Sequence, residues 1–319
     1  MILVIYLTIV NILAFILYGI DKKKAEKNKF RISEASLITI AVLGGSIGAF
    51  LGMKVFHHKT KKKKFTVTVP LFAVLLVICS IYLLYQNYHI VVTEYEYKAD
   101  TEMKIVQISD LHNQLFGIKQ KTLLNKIKDC EPDIIVVTGD AVDRNHTCYQ
   151  FTKEFFKGAV EIAPVYYVTG NHEVWLDQGE FAGFLSEIES YGVHFMDGKT
   201  ETFDDIIIAG AANNSNVTDY GWENDERLKI LLSHEPERHE QYESTGADIV
   251  FTGHIHGGQI IIPGKGGLLS PDFEFFPKLY EGEHQVGNMT MYISRGMGNS
   301  LLPVRINDYP EIVVLNIRQ

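Results

Sequence analysis

Residues 104–112 read KIVQISDLH, an apolar run closed by an aspartate and a histidine. Four further runs end in the same manner: DIIVVTGD at 133–140, VYYVTGNH at 165–172, LKILLSH at 228–234 and DIVFTGH at 248–254. Short runs of this kind, rich in Val and Ile and bounded by Gly or polar residues, read as strands buried on both faces. Alternation of such strands with amphipathic stretches predicts an α/β domain. Ligands in open α/β sheets gather beyond the carboxyl ends of the strands. Five runs ending at Asp110, Asp140, Asn171, His234 and His254 therefore predict one convergent polar cluster.

Residue type narrows the chemistry. Asp110 and His112 sit two apart, and on an extended strand end residues i and i+2 project to one side. Gly139 allows a sharp turn beside Asp140. His254 and His256 flank one residue in the glycine-rich run GHIHGG. Carboxylate, imidazole and amide-oxygen donors together suit Mn, Fe or Zn better than Ca, and the absence of cysteine from the set argues against a structural zinc. Each motif alone has a bland explanation, since an Asp or His at a strand end is commonly a loop cap or a hydrogen-bonded surface group. The ordered series D-x-H, G-D-x-x-D, G-N-H-E, S-H and G-H-x-H is hard to obtain by chance. It reads as a hydrolase site for two divalent metal ions.

With these motifs, and with GHIHGGQI at 253–260, ISRGMG at 293–298 and PEIVVLNI at 310–317, the region from about Lys104 to Arg318 resembles the calcineurin-like metallophosphoesterase family, in its membrane-associated bacterial branch. The resemblance implies a four-layer α/β/β/α sandwich. It implies that Asp110, His112 and His256 hold one ion, that Asn171, His234 and His254 hold the second, and that Asp140 bridges them. It further implies His172 as the group that protonates the leaving oxygen, with Asp143 as its partner. Arg144 is a candidate phosphate contact by a bidentate fork. Glu173 and Glu235 directly follow ligand positions and are left outside the site. His146, His194, His239 and His284 fall outside the pattern and read as surface or satisfied core residues.

The first 86 residues are different material. Residues 1–20 and about 67–85 are apolar runs long enough to span a ~30 Å hydrocarbon core. Residues 36–53, SLITIAVLGGSIGAFLGM, are apolar but carry four glycines, and Lys-rich loops lie on both sides. A spanning segment would place one basic loop outside the cell, whereas a re-entrant hairpin keeps both inside. Both readings stand at this stage. The block resembles a small bacterial membrane domain of unknown function. Lysines 59 and 61–64 precede the last helix, and no Lys or Arg follows it before Lys98, which predicts an extracytoplasmic catalytic domain in a multi-pass cell-membrane protein.

Domain limits follow as 1–86 for the membrane block and 87–319 for the metallophosphoesterase domain, with HIVVTEYEY at 89–97 as a first strand. The membrane block holds 12 Lys and Arg against three Asp and Glu, a net of +9, so a chain of net charge −9 leaves −18 on the remainder. A domain that acidic is a poor nucleic-acid binder. Tethering at the bilayer favours a phosphodiester or pyrophosphate in a lipid-linked or cell-envelope substrate. The alternatives are a soluble nucleotide or phosphomonoester hydrolase, and a non-catalytic membrane scaffold with a retained metal centre. The stretch AANNSN at 211–216 departs from the aspartate-containing turn that the resemblance implies there. Three cysteines set no disulfide framework, and no protein partner is legible.

Overall fold

A computed structural model of the chain describes residues 2–145, 148–213, 220–222, 224–299 and 304–319. His146 and the end of the AANNSN stretch lie outside the described residues. The chain divides into two compact units, Met1–Tyr85 and Gln86–Gln319.

The first unit contains α1 (Ile2–Glu26), α2 (Glu34–Ile40), α3 (Ser46–Val55) and most of α4 (Lys63–Tyr88). By length and composition α1, α4 and the stretch Glu34–Val55 could each cross a membrane. The last of these is not one helix. Its backbone breaks at Leu43 and Gly44, where Gly44 takes φ 104°, a value glycine adopts without strain. Contacts along α1 give the direction of each half. Tyr18 Oη donates to Leu37 O and Tyr6 Oη to Leu43 O, so α2 runs antiparallel to α1. Gly48 N donates to Asn11 Oδ1, Gly52 packs on Tyr18, and Phe56 packs on Gly19, so α3 returns parallel to it. Seven and ten helical residues rise only ~10 and ~15 Å. Residues 34–55 therefore form a helical hairpin against α1.

Asn11 explains how the turn survives among apolar side chains. Its amide donates to Leu7 O and Gly44 O, each at 2.8 Å, while its oxygen accepts from Gly48 N at 2.8 Å. Backbone groups freed by the break are thus satisfied internally, as a low-dielectric setting requires. At the open end, the buried Asp21 carboxylate accepts from Arg31 at 2.9 Å and from the Ile32 amide at 2.9 Å, and meets His58 at 2.7 Å. The loops before α2 and after α3 are thereby fastened to the same end of α1.

In the second unit β1 (Val91–Lys98) and β2 (Met103–Ile108) precede α5 (Lys121–Asp129), β3 (Ile134–Thr138), α6 (Tyr149–Ala159) and β4 (Val165–Val168). Then come α7 (Asn171–Val174), α8 (Gln178–Ser190), β5 (Val193–Phe195), β6 (Thr200–Phe203), β7 (Ile206–Gly210) and β8 (Leu228–Leu232). The unit closes with α9 (His239–Glu243), β9 (Ile249–Thr252), the short pair β10 (Ile261–Ile262) and β11 (Gly266–Gly267), β12 (Gly282–Val286), β13 (Met289–Ile293) and β14 (Glu311–Arg318). One six-stranded sheet has the order β1-β14-β2-β3-β4-β5 and another β12-β13-β9-β8-β7-β6. In the first, β2 to β5 are parallel, and in the second β7, β8, β9 and β13 are parallel.

Strand parity builds the layers. Ile135 and Val137 of β3 face Leu123, Phe155, Phe156 and Ile188 of the helices, while Ile134 and Val136 join Ile230, Leu232, Ile249 and Phe251 of the other sheet. The far face of that second sheet packs Leu231 and Val250 on Trp222 and Tyr242, the latter from α9. Helices, two sheets and an outer helical layer make the four-layer sandwich. Both faces of each central strand are buried, which is why the runs read as continuously apolar. The predicted first strand is β1, an edge strand paired in parallel with β14.

Candidate metal centre

The parallel strands β2, β3, β4, β8 and β9 stop at Ile108, Thr138, Val168, Leu232 and Thr252. Each delivers its polar residue two or three positions later. Asp110 and His112 are not on an extended strand end, as their spacing had suggested. They take φ 51° and 46° in the turn beyond β2. Asp140, His254 and His256 are also left-handed, at φ 49°, 70° and 52°. Such backbone costs a non-glycine residue on the order of 1–3 kcal/mol and gathers at functional sites. Convergence here comes from left-handed turns after β2, β3 and β9, with Asn171 at the start of α7, and not from strand pleat. Gly139, at φ 86°, lets two of these turns meet, because a Cβ there would lie 2.5 Å from His234 Nδ1 and 2.7 Å from Gly170 Cα.

The side chains meet in two adjoining groups. In the first, His112 Nε2 lies 3.1 Å from His256 Nε2 and 4.0 Å from Asp110 Oδ1, and His256 Nε2 lies 3.5 Å from that oxygen. In the second, His234 Nε2 lies 3.0 Å from Asn171 Oδ1, which is 3.1 Å from His254 Nδ1. Asp140 Oδ2 belongs to both, 3.6 Å from His112 Nε2 and 3.3 Å from His234 Nε2.

These groups fit divalent cations. Donor atoms about 2.0–2.2 Å from one ion stand roughly 3.0–3.5 Å from each other, close to most of the spacings found here. Tautomers point the same way. His234 Nδ1 donates to Thr138 O at 2.8 Å, so the neutral ring turns its Nε2 lone pair toward the oxygens of Asp140 and Asn171. Three lone pairs facing one another need a positive charge between them. Without a metal the ring supplies it: burial disfavours the imidazolium, but Asp140 outweighs burial and raises His234 to about 10. His112 and His256 behave in the opposite sense, as burial holds His112 at about 3 and His256 below the ordinary imidazole value. Buried neutral imidazoles beside buried carboxylates are donors that could hold a metal ion.

His172 and Asp143 line up beside the first group. His172 Nδ1 is 3.2 Å from Asp143 Oδ1 and 3.3 Å from the Arg144 amide. Donation to the carboxylate is the stronger bond, being charge-assisted. Burial opposes charging of the His172 ring, yet Asp143 and Asp140 outweigh it and raise the pKa. The Arg144 guanidinium stacks on Trp175 at 4.4 Å. His172, Arg144, Asn171, His254 and His256 all line a cleft of about 290 Å³.

Glu173 was left out by the sequence reading and is central to the geometry. Fully buried, its carboxylate accepts from the amides of Asp140 (2.9 Å), Val142 (3.0 Å) and Gly170 (2.9 Å), tying the β3 and β4 turns together. Burial and the Asp140 charge raise it to about 7, against the pull of those amides. Its position directly after Asn171 and His172 was the available signal. Asp272 was also missed; its Oδ2 stands 3.7 Å from His254 Nε2. His194 pairs with Glu201 and His284 with Glu281 O, away from the centre.

Residues 103–258 match the family model for calcineurin-like phosphoesterase, and residues 11–65 match that of a protein family of unknown function, DUF1294. A Bacillus subtilis (strain 168) protein described as an uncharacterized metallophosphoesterase, YkuE, is 29% identical over 232 residues, 67% of this chain and 79% of its own. The B. subtilis (strain 168) uncharacterized protein YsdA is 47% identical over 75 residues, 24% of this chain and 84% of its own. Among solved structures, TT1561 of Thermus thermophilus is similar over 62% of this chain and 91% of its own, at 14% identity and a TM-score of 0.44. Metal-type clusters at strand ends and the family match agree: residues 103–258 form a calcineurin-like phosphoesterase domain, behind a DUF1294 block at 11–65, and the chain is a metal-dependent phosphoesterase.

Proposed function

We propose that the second unit is a two-metal phosphodiesterase or pyrophosphatase acting on a lipid-linked or cell-envelope substrate. Asp110, His112 and His256 hold one divalent ion, Asn171, His234 and His254 the other, and Asp140 is shared. The observation that carries this reading is the Asp140 oxygen common to both groups of donors. When bound there, such ions would supply a water of lowered pKa and positive charge to offset the phosphoryl oxygens. Mn, Zn and Fe all suit the donor set.

The chain's own residues do the rest. Asp143 fixes the His172 tautomer and favours the charged ring, and His172 gives its proton to the departing oxygen. Arg144, held flat by Trp175, offers a guanidinium fork to the phosphate on the cleft wall. Glu173 locks the turns that carry Asp140 and Asn171.

The helical hairpin supports a topology. Residues 34–55 dip into the bilayer and return, so the chain crosses twice, by α1 and α4. Both basic loops then lie on the cytoplasmic side, as the positive-inside rule favours, and the metal centre lies outside the cytoplasm. Only two residues, His89 and Ile90, separate α4 from β1, so the site is held near bilayer-borne substrates.

The test uses the full-length chain in detergent, loaded with Mn or Zn or stripped by chelator. Bis-p-nitrophenyl phosphate and p-nitrophenyl phosphate are compared. Metal-dependent cleavage of the diester in preference to the monoester is the expected result. A monoester preference would move the assignment to the phosphomonoesterase alternative, and a metal-loaded, folded protein inert on both would favour the scaffold.

A further inference from the structure

Between the site and β12 runs SPDFEFFP, residues 270–277. Phe273, Phe275 and Phe276 in it are 67%, 70% and 40% exposed. Burying a phenylalanine ordinarily stabilises a fold by about 1.5–3 kcal/mol, so three exposed in four residues call for a purpose outside the fold. The backbone adds to the puzzle. Phe273 and Phe276 take φ 64° and 55°, a region that bulky side chains rarely occupy.

This loop is built rather than slack. Phe273 N donates to Ser270 O, Glu274 N to Ser270 Oγ, Ser270 N to Glu274 O and Phe276 N to Leu268 O, all between 3.0 and 3.1 Å. It is also joined to the metal centre, since its Asp272 faces His254. Leu269, Pro271 and Phe273 line the same cleft as Asn171, His172 and His254, and Trp175, 51% exposed, completes the apolar part of the wall. Phe273 therefore carries the apolar surface of the loop into the cleft where a phosphoryl group would sit.

Resting on the phosphoesterase reading above, we infer that the Phe273–Phe276 loop is the subsite for an acyl or polyprenyl chain borne by the phosphoester. The occupant is the substrate's own hydrocarbon. Polar esters, nucleotides among them, would leave these rings in water, whereas a chain attached to the phosphate is led along them from the cleft. A chain carrying helices such as α1 and α4, apolar enough for a membrane, works where such amphiphiles collect.

The experiment compares p-nitrophenyl octyl phosphate with p-nitrophenyl methyl phosphate, which share a leaving group, on the full-length Mn-loaded protein and its Phe273→Ser/Phe275→Ser/Phe276→Ser variant. Wild type should favour the octyl ester by at least about tenfold in kcat/KM, through KM. In the variant the ratio should fall to about twofold or less, through a selective loss on the octyl ester. Equal rates on both esters in wild type, or an undiminished ratio in the variant, would overturn the subsite.

A second arm keeps this separate from catalysis. Binding of octylphosphonate and methylphosphonate, neither of which has an ester to cleave, is followed through Trp175 fluorescence against a Trp175→Phe control. Tighter octylphosphonate binding that the triple variant loses supports the subsite even if neither ester is cut, in which case the phosphodiesterase reading alone has failed. Equal binding of the two phosphonates rejects the subsite whatever the turnover.

Discussion

The Glu34–Val55 segment and the metal centre both depend on left-handed backbone, yet only one of them announces itself in the sequence. At the metal centre every turn follows an apolar run and carries an aspartate, asparagine or histidine, so chemistry marks the place where the chain bends. Within Glu34–Val55 the bend falls at Leu43 and Gly44 inside unbroken apolar sequence. Hydropathy measures what surrounds a segment and says nothing of its direction. Direction was encoded by Gly44 and by Asn11 on another helix, a polar residue whose hydrogen bonds to Gly44 O and Gly48 N close the turn.

The sharpest way to break the metal-centre half of this contrast is Asp140→Asn. Losing a charged donor common to both groups should lower kcat/KM by roughly 10³-fold or more, with circular dichroism unchanged. Retention of more than a tenth of the activity would mean that Asp140 is not shared. His172→Ala should cost about 10²-fold with an alkoxide leaving group and only a few-fold with p-nitrophenolate, which departs without a proton. Equal losses on the two esters would remove His172 as the acid. Glu173→Gln keeps shape but weakens the grip on three amides, and about a 10-fold rise in the metal concentration needed for half activity is expected. An unchanged metal requirement would reduce Glu173 to packing.

Much of the second unit was legible because strand parity and residue chemistry agree. Ile134 to Thr138 can only alternate between two apolar layers, and the polar residues beyond Thr138 must emerge at the sheet edge. The mode of convergence was not legible. Asp110 and His112 look like neighbours on a strand, and their left-handed turns lie against Gly253, Gly296 and Gly298, residues more than 140 positions away that leave no room for a Cβ. Glu173 was passed over for a related reason. Its partners are backbone amides, which leave no mark on side-chain patterns.

The hairpin can be broken without touching the chemistry. Asn11→Leu removes the donor to Gly44 O and the acceptor for Gly48 N, and it leaves Gly48 N unpaired in an apolar setting. An unsatisfied buried amide costs about 1–3 kcal/mol, so the first unit should melt earlier while kcat/KM of the second stays within about twofold. Cysteines placed at Phe30 and Thr60, in a background lacking Cys79, Cys130 and Cys148, read the geometry directly. In a re-entrant hairpin both sites are blocked or labelled together by an impermeant maleimide on one side of the membrane. Labelling from opposite sides would make residues 34–55 a true span, and the side on which the Thr60 position reacts would then be the side opposite the metal centre. Asn11→Leu should leave that shared sidedness intact if Asp21, with Arg31 and His58, holds the two loops together, and lose it if the turn itself is what keeps the hairpin from straightening.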